Sequence, residues 1–141
     1  MSETLREQSE AAQIRKMLAG SGYSEKAIRY FLEKPSMGTI PEPDYVSEMT
    51  GTCGDTMSVC IKVENGIIVD ARYQVLGCPG AVASAMAAAE LAKGKTIEEA
   101  REIDDGDVFR FLEEVPAKKH HCIQLAVKTL RRALTPTKEA E

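Results

Sequence analysis

Thr56-Met57-Ser58-Val59-Cys60-Ile61-Lys62-Val63-Glu64, then Asn65-Gly66, then Ile67-Ile68-Val69-Asp70-Ala71-Arg72-Tyr73-Gln74-Val75 is the stretch that decides the fold. Apolar residues alternate in both halves. Met57, Val59, Ile61 and Val63 mark one face of a first strand; Ile67, Val69, Ala71, Tyr73 and Val75 mark one face of a second. A period of two means a strand with one face buried, because successive side chains point to opposite sides of the sheet. Asn65-Gly66 between them tolerates the left-handed backbone that hairpin connections need.

Two registers are open to this hairpin. A two-residue loop pairs Glu64 with Ile67 and then sets Ile61 against Asp70 and Val59 against Arg72, which puts charge on the buried face. A three-residue loop, Glu64-Asn65-Gly66, pairs Val63 with Ile67, Ile61 with Val69, Val59 with Ala71 and Met57 with Tyr73. The apolar pattern favours the second. Continued to the open end, that register brings Cys53 opposite Gly77 and Asp55 opposite Val75, so Cys53 and Cys78 are expected to be neighbours.

Working outward, residues 3–19 read as an amphipathic helix with Ala11, Ile14, Met17 and Leu18 at helical spacing and Glu3, Arg6, Glu7, Arg15 and Lys16 elsewhere; Gly20-Ser21-Gly22 ends it. Ser24 caps a second helix carrying Ala27, Ile28, Phe31 and Leu32, and Pro35 and Gly38 break the pattern. The segment from Pro35 to Asp44 is an extended connection, and Tyr45 to Thr50 adds a third strand. After the hairpin, Pro79 to Ala89 is helix-forming and apolar on nearly every face, which predicts a buried helix. Thr96-Ile97-Glu98-Glu99 reads as a capping box, and Asp107 as the cap of a short helix through Phe109 and Leu112. A last helix carries Ile123, Ala126, Val127, Leu130, Ala133 and Leu134 and stops before Pro136.

Composition excludes several classes. The chain has 141 residues, 43% of them hydrophobic, which suits one domain with a single core. A net charge of -4, scattered basic residues and few aromatics leave no electrostatic footprint for nucleic acid. No apolar run is long enough for a bilayer, and the acidic start Met1-Ser2-Glu3-Thr4-Leu5-Arg6-Glu7 does not resemble a signal or transit peptide, so the expectation is no membrane partner and a cytoplasmic location. In such a compartment four cysteines point to thiol or metal chemistry rather than disulfides.

Three of those cysteines stand at element boundaries: Cys53 before Gly54-Asp55, Cys78 between Gly77 and Pro79-Gly80, and Cys122 after His120-His121. Thiolates suit a soft metal or an iron-sulfur cluster, with a carboxylate or imidazole filling the remaining position. Cys78 and Cys122 both fall at helix starts, where free amides favour thiolate, and Lys118 and Lys119 lie close to the third cysteine. Cys60 points to the opposite strand face from Val59 and Ile61 and reads as a packing residue.

Taken together, Tyr23-Ser24-Glu25-Lys26, Cys53-Gly54-Asp55, Asp70-Ala71-Arg72-Tyr73 leading to Gly77-Cys78, Lys93-Gly94-Lys95-Thr96-Ile97-Glu98-Glu99-Ala100 and His121-Cys122 resemble the iron-sulfur cluster assembly scaffold family, the IscU type and the N-terminal domain of NifU. The resemblance covers about residues 23–134, which divides the chain into an N-terminal helical extension, 1–22, and a scaffold domain, 23–141. It implies an α+β fold with a small antiparallel sheet of about three strands and helices packed on it. The site it implies has Cys53, Cys78 and Cys122 as cluster ligands, Asp55 or His121 as a further metal ligand, and Cys122 as persulfide acceptor. The implied function is transient assembly of a [2Fe-2S] cluster from iron and desulfurase-derived sulfur and its transfer to apo-proteins, by an assembly scaffold rather than a turnover enzyme. The implied partners are a cysteine desulfurase, an iron or electron donor protein and apo iron-sulfur acceptors. Three cysteines plus one weaker ligand favour release, as a scaffold requires.

Some residues depart from the family pattern. Val115-Pro116-Ala117-Lys118-Lys119 stands where IscU-type members often carry Leu-Pro-Pro-Val-Lys, read by a dedicated Hsp70 chaperone, which weakens the implication of a chaperone partner. Pro79-Gly80 replaces the more usual small-residue pair after the second cysteine, and His120 is an extra imidazole near the site. The long insertion between Cys78 and Cys122 that marks the SufU branch is missing. The alternative reading is a SufU-like zinc-dependent sulfurtransferase, with zinc held by Cys53, Asp55, Cys78 and Cys122.

Overall fold

The computed structural model describes residues 3–135, and their side chains from residue 9 onward. Strands β1 (Tyr45–Thr50), β2 (Thr56–Glu64) and β3 (Ile67–Leu76) form one antiparallel sheet in the order β1-β2-β3. Six helices accompany it among the described residues: α1 (Glu3–Gly20), α2 (Glu25–Glu33), α3 (Pro79–Ala92), α4 (Ile97–Arg101), α5 (Asp105–Leu112) and α6 (His120–Leu134). This is the expected α+β architecture.

The hairpin register differs from the expected one. Glu64 pairs with Ile67 and Val63 with Ile68, then a β-bulge intervenes, and Lys62 pairs with Asp70, Ile61 with Ala71, Val59 with Tyr73 and Met57 with Val75. Asn65 and Gly66 both have positive φ, 53° and 79°, so they alone form the two-residue turn. Val69 is the extra residue, and it removes the conflict that spoke against this turn. Past the bulge, Asp70 and Arg72 leave the buried face and Ala71 and Tyr73 enter it. Accordingly Ile68 is fully buried, while Ile67 and Val69 are exposed.

The inner sheet face, with Met57, Val59, Ile61, Ile68, Ala71 and Tyr73, packs under α3 and α6. The alanines of α3 let its backbone come close to β3 and α6, and nearly every position along it is buried. Tyr73, inside this core, donates its hydroxyl hydrogen to the Ala126 carbonyl at 2.8 Å, which ties β3 to the first half of α6. Burial pushes its phenol well above the usual range. The connection before β1 runs along the edge of β3: Tyr73 N–H donates to Ser36 O and Gly38 N–H to Tyr73 O, both at 2.9 Å.

Caps follow sequence chemistry with one change. Ser24 Oγ accepts from Ala27 N–H at 2.9 Å, and its own hydroxyl donates to the Leu112 carbonyl. Thr96 and Glu99 form the expected capping box. Asp107 does not cap α5: Asp104 is the cap, and Asp107 is its reciprocal partner three positions on. Of the α1 stripe, Leu18 is buried and Ile14 half-buried against α2, but Met17 is exposed, because α1 touches the body along a narrower line than the spacing implied. The side chains of Glu3, Arg6 and Glu7 lie outside the described residues, as does Pro136 beyond the end of α6. No described helix is long and apolar enough to cross a membrane.

Candidate functional site

The open end of the hairpin faces the starts of α3 and α6, and three segments meet there. Cys53 and Asp55 belong to the tight loop between β1 and β2, closed by Gly51 N–H donating to Asp55 O at 2.8 Å and Gly54 N–H to Gly51 O at 3.0 Å. Gly54 has φ 92°, a conformation that suits glycine. Cys78 is the N-cap of α3, and Pro79 is its first helical residue. Cys122 is the third residue of α6, entered through a short 3-10 turn over Ala117–Lys119.

Gly77 makes the meeting possible. A Cβ there would lie 2.8 Å from Asp55 Cγ and 3.0 Å from Ala81 Cβ, so only glycine lets the carboxylate approach Cys78. Cys78 Sγ and Cys122 Sγ stand 3.7 Å apart, and Asp55 Oδ2 lies 3.9 Å from the first and 3.7 Å from the second. His121 Nε2 is 3.5 Å from Cys122 Sγ. Two overlapping ligand groups result, Asp55–Cys78–Cys122 and Cys53–Asp55–His121, each with its donor atoms within 4.8 Å of one another. Asp55 belongs to both. The first group is half-buried to buried; the second reaches the surface through exposed Cys53. A cavity of about 160 Å³ opens beside Cys53 and His121, with Met49 and Leu125 in its wall.

The two inner thiols share one proton. A hydrogen bond from Cys122 lowers Cys78 to about 5; burial opposes this, and the Ala81 amide and the Lys119 charge assist it against repulsion from Asp55. Cys122, fully buried, is pushed far up by the same hydrogen bond, by burial and by the negative charge beside it. Of the two, Cys78 is the sulfur favoured as thiolate and Cys122 the one favoured as thiol. Lys119, facing that thiolate, is itself raised.

The site thus contains Cys53, Asp55, Cys78, His121 and Cys122, although Cys53 sits with Asp55 and His121 rather than directly beside Cys78. His120 is not among them: it is exposed, with its ring edge-on to Phe109 at 5.0 Å, because its neighbour on the helix takes the inward direction. Cys60 lies half-buried and free on the outer sheet face opposite Arg72, as its strand position implied. Tyr23 is a neighbour that the spacing of residues did not reveal. Its ring is buried, and burial and the charges of Cys78, Lys119 and Cys122 all act on its hydroxyl.

Residues 22–140 match the family described as NifU-like N terminal domain. The chain belongs to that family. The relatives of this NifU-like chain include iron-sulfur cluster assembly scaffold protein IscU 1 of Archaeoglobus fulgidus, 41% identical over 113 residues, 79% of this chain and 74% of that protein. The Escherichia coli K12 scaffold protein IscU is 38% identical over 121 residues, 82% of this chain and 94% of that protein. Among solved structures, a putative iron-sulfur cluster assembly scaffold protein for the SUF system from Fervidobacterium islandicum superposes with a TM-score of 0.66 at 26% identity, over 80% of this chain and 96% of that one. A NifU-like N-terminal protein from Brucella abortus, at TM-score 0.64 and 19% identity over 84% of this chain and 95% of that one, shares the fold. In this NifU-like chain α1 lies before the matched span.

Proposed function

We propose that this chain is a scaffold on which a [2Fe-2S] cluster is assembled from iron and desulfurase-derived sulfur and then passed to apo-proteins. The observation that carries the reading is the convergence of Cys78, Cys122 and Asp55 within 4.8 Å, with Cys53 and His121 adjoining through the same carboxylate. Iron and cluster are cargo here. Cys53, Cys78 and Cys122 supply thiolates, and Asp55 or His121 supplies the weaker bond that lets the cargo leave.

Cys122 is the proposed sulfur acceptor. Its sulfur attacks the outer sulfur of a persulfide on the desulfurase, the S–S bond to the desulfurase cysteine breaks, and that cysteine departs as thiolate. The proton of Cys122 passes to the Cys78 thiolate 3.7 Å away. Reducing two transferred sulfurs to sulfide takes four electrons, two from oxidation of two iron(II) to iron(III) and two from a donor protein. Because Cys122 is fully buried, its sulfur has to become exposed for the encounter. The partners in this reading are the desulfurase, an iron or electron donor and apo-acceptors, in a reducing compartment such as the cytoplasm. The protein accepts and hands on material rather than turning over a substrate.

Anaerobic incubation with a cysteine desulfurase, cysteine, iron(II) and reductant should give the visible absorption of a [2Fe-2S] cluster, followed by transfer to apo-ferredoxin. Desulfurase stimulation that requires zinc, with no labile cluster formed, would instead establish the zinc-dependent sulfurtransferase. Asp55→Ala should lengthen the lifetime of the assembled cluster several-fold, because it removes the negative charge that repels the thiolates and the anionic cargo they hold. An unchanged or shorter lifetime removes Asp55 from that role.

A further inference from the structure

The first turn of a helix presents amides that its own carbonyls cannot satisfy, and at α3 each can be followed. Pro79 has none. The Ala81 amide lies toward the Cys78 sulfur and favours its thiolate, although Cys78 makes no close capping bond. Val82 N–H donates to the Cys78 carbonyl at 3.1 Å. The Gly80 amide faces the hydroxyl of Tyr23.

That hydroxyl is wedged. A Cβ on Gly80 would come within 3.1 Å of Tyr23 Oη and within 3.2 and 3.3 Å of Lys119 Cβ and Cγ, so the tyrosine oxygen, the helix start and the lysine stem meet with no room for a methyl group. Tyr23 is itself fixed from outside the site. Its N–H donates to Leu18 O at 3.2 Å, its neighbour Ser24 N–H to Glu114 O at 2.8 Å, and its ring is 8% exposed. Through its bond to Leu18, Tyr23 links the end of α1 to the start of α3.

We propose that Tyr23 is a positioning residue for Cys78: its hydroxyl, held between the Gly80 amide and the Lys119 stem, sets the direction of the first turn of α3 and the distance at which Lys119 faces the Cys78 sulfur. Without that oxygen the wedge between the start of α3 and the Lys119 stem opens, and the first turn can rotate or admit water beside the ligand. The residue touches neither iron nor sulfur and acts through the helix start. Its bearing on cluster assembly rests on the scaffold reading; its bearing on thiolate geometry does not.

Cobalt(II) separates the two. Metal-free Tyr23→Phe protein, checked by far-UV circular dichroism for an unchanged fold, is loaded with cobalt and observed through its thiolate-to-cobalt absorption, then challenged with EDTA. The expected result is an altered charge-transfer band and release about fivefold faster, on the scale of one lost polar contact. Gly80→Ala should also speed release. The double variant Tyr23→Phe/Gly80→Ala should release cobalt more slowly than the sum of the two effects requires, because removing the oxygen makes space for the new methyl group. A Tyr23→Phe protein with the native band and release rate, or strictly additive effects in the double variant, overturns the proposal. If the native protein forms no cluster from iron(III) and sulfide under anaerobic conditions while the cobalt differences persist, the scaffold reading falls and the positioning role stands.

Discussion

The two ends of the β2–β3 ribbon are built on opposite terms. At the tip, Asn65-Gly66 turns the chain in two residues, and the bulge at Val69 takes up the spare residue on the exposed side. At the open end the strands stop at Thr56 and Leu76, and Asp55, Gly77 with Cys78, and Cys122 fill the same few ångströms from three directions. The tip has slack because its excess points into water. The site end has none at Gly77, where an added carbon meets Asp55 and Ala81.

The contrast is most easily broken at the ligands. Cys78→Ser and Cys122→Ser should each leave a folded protein whose anaerobic reconstitution gives no stable visible absorption, a loss beyond the ~10-fold to ~100-fold that changes around metal ligands produce. Next comes Gly77→Ala, where the new Cβ must displace Asp55 or Ala81. Overpacking of this kind costs about 1–3 kcal/mol in urea unfolding, and here it should also shorten cluster lifetime. A smaller effect is a matter of pH. In metal-free protein, alkylation of Cys78 by iodoacetamide should stay nearly constant between about pH 6 and pH 8, because the thiolate is the reactive form. It should fall as pH drops through about 5, where Cys78 takes up its proton, whereas an ordinary thiol loses reactivity below about pH 8.5. Cys122 should resist throughout, and peptide mass spectrometry reads both sites in one sample. The smallest effect is expected at the tip. Deleting Val69 turns the bulge into a regular ladder with Ile68 and Ala71 still facing inward, so stability should change by about 1 kcal/mol or less, with cluster formation untouched. A large loss there would show that the bulge positions the site.

What the sequence disclosed divides along the same line. The element order, the Ser24 and Thr96 caps and the buried α3 were legible because each rests on local chemistry: a hydroxyl before a helix, a period of two, alanines in a row. The site cysteines were legible because each has a glycine, proline or imidazole beside it at an element boundary. The bulge was not. Ile67-Ile68-Val69 is apolar throughout, so alternation alone could not tell which of the three turns inward, and the turn preference of Asn-Gly was the better guide. Tyr23 was legible only as part of a family resemblance, since its place beside Gly80 and Lys119 arises from tertiary packing. His120 and His121 differ by one step on a helix, about 100° of rotation, and only the docked orientation of α6 selects the second.

The innermost sulfur, Cys122, rides on α6, and α6 packs on β1, β2, α3, α4 and α5 alike. Any slip of that helix along the core therefore carries the sulfur with it. The deepest point of the cradle is thus geared to the packing of the whole domain, whereas exposed Cys53, on a loop closed by its own backbone bonds, is not.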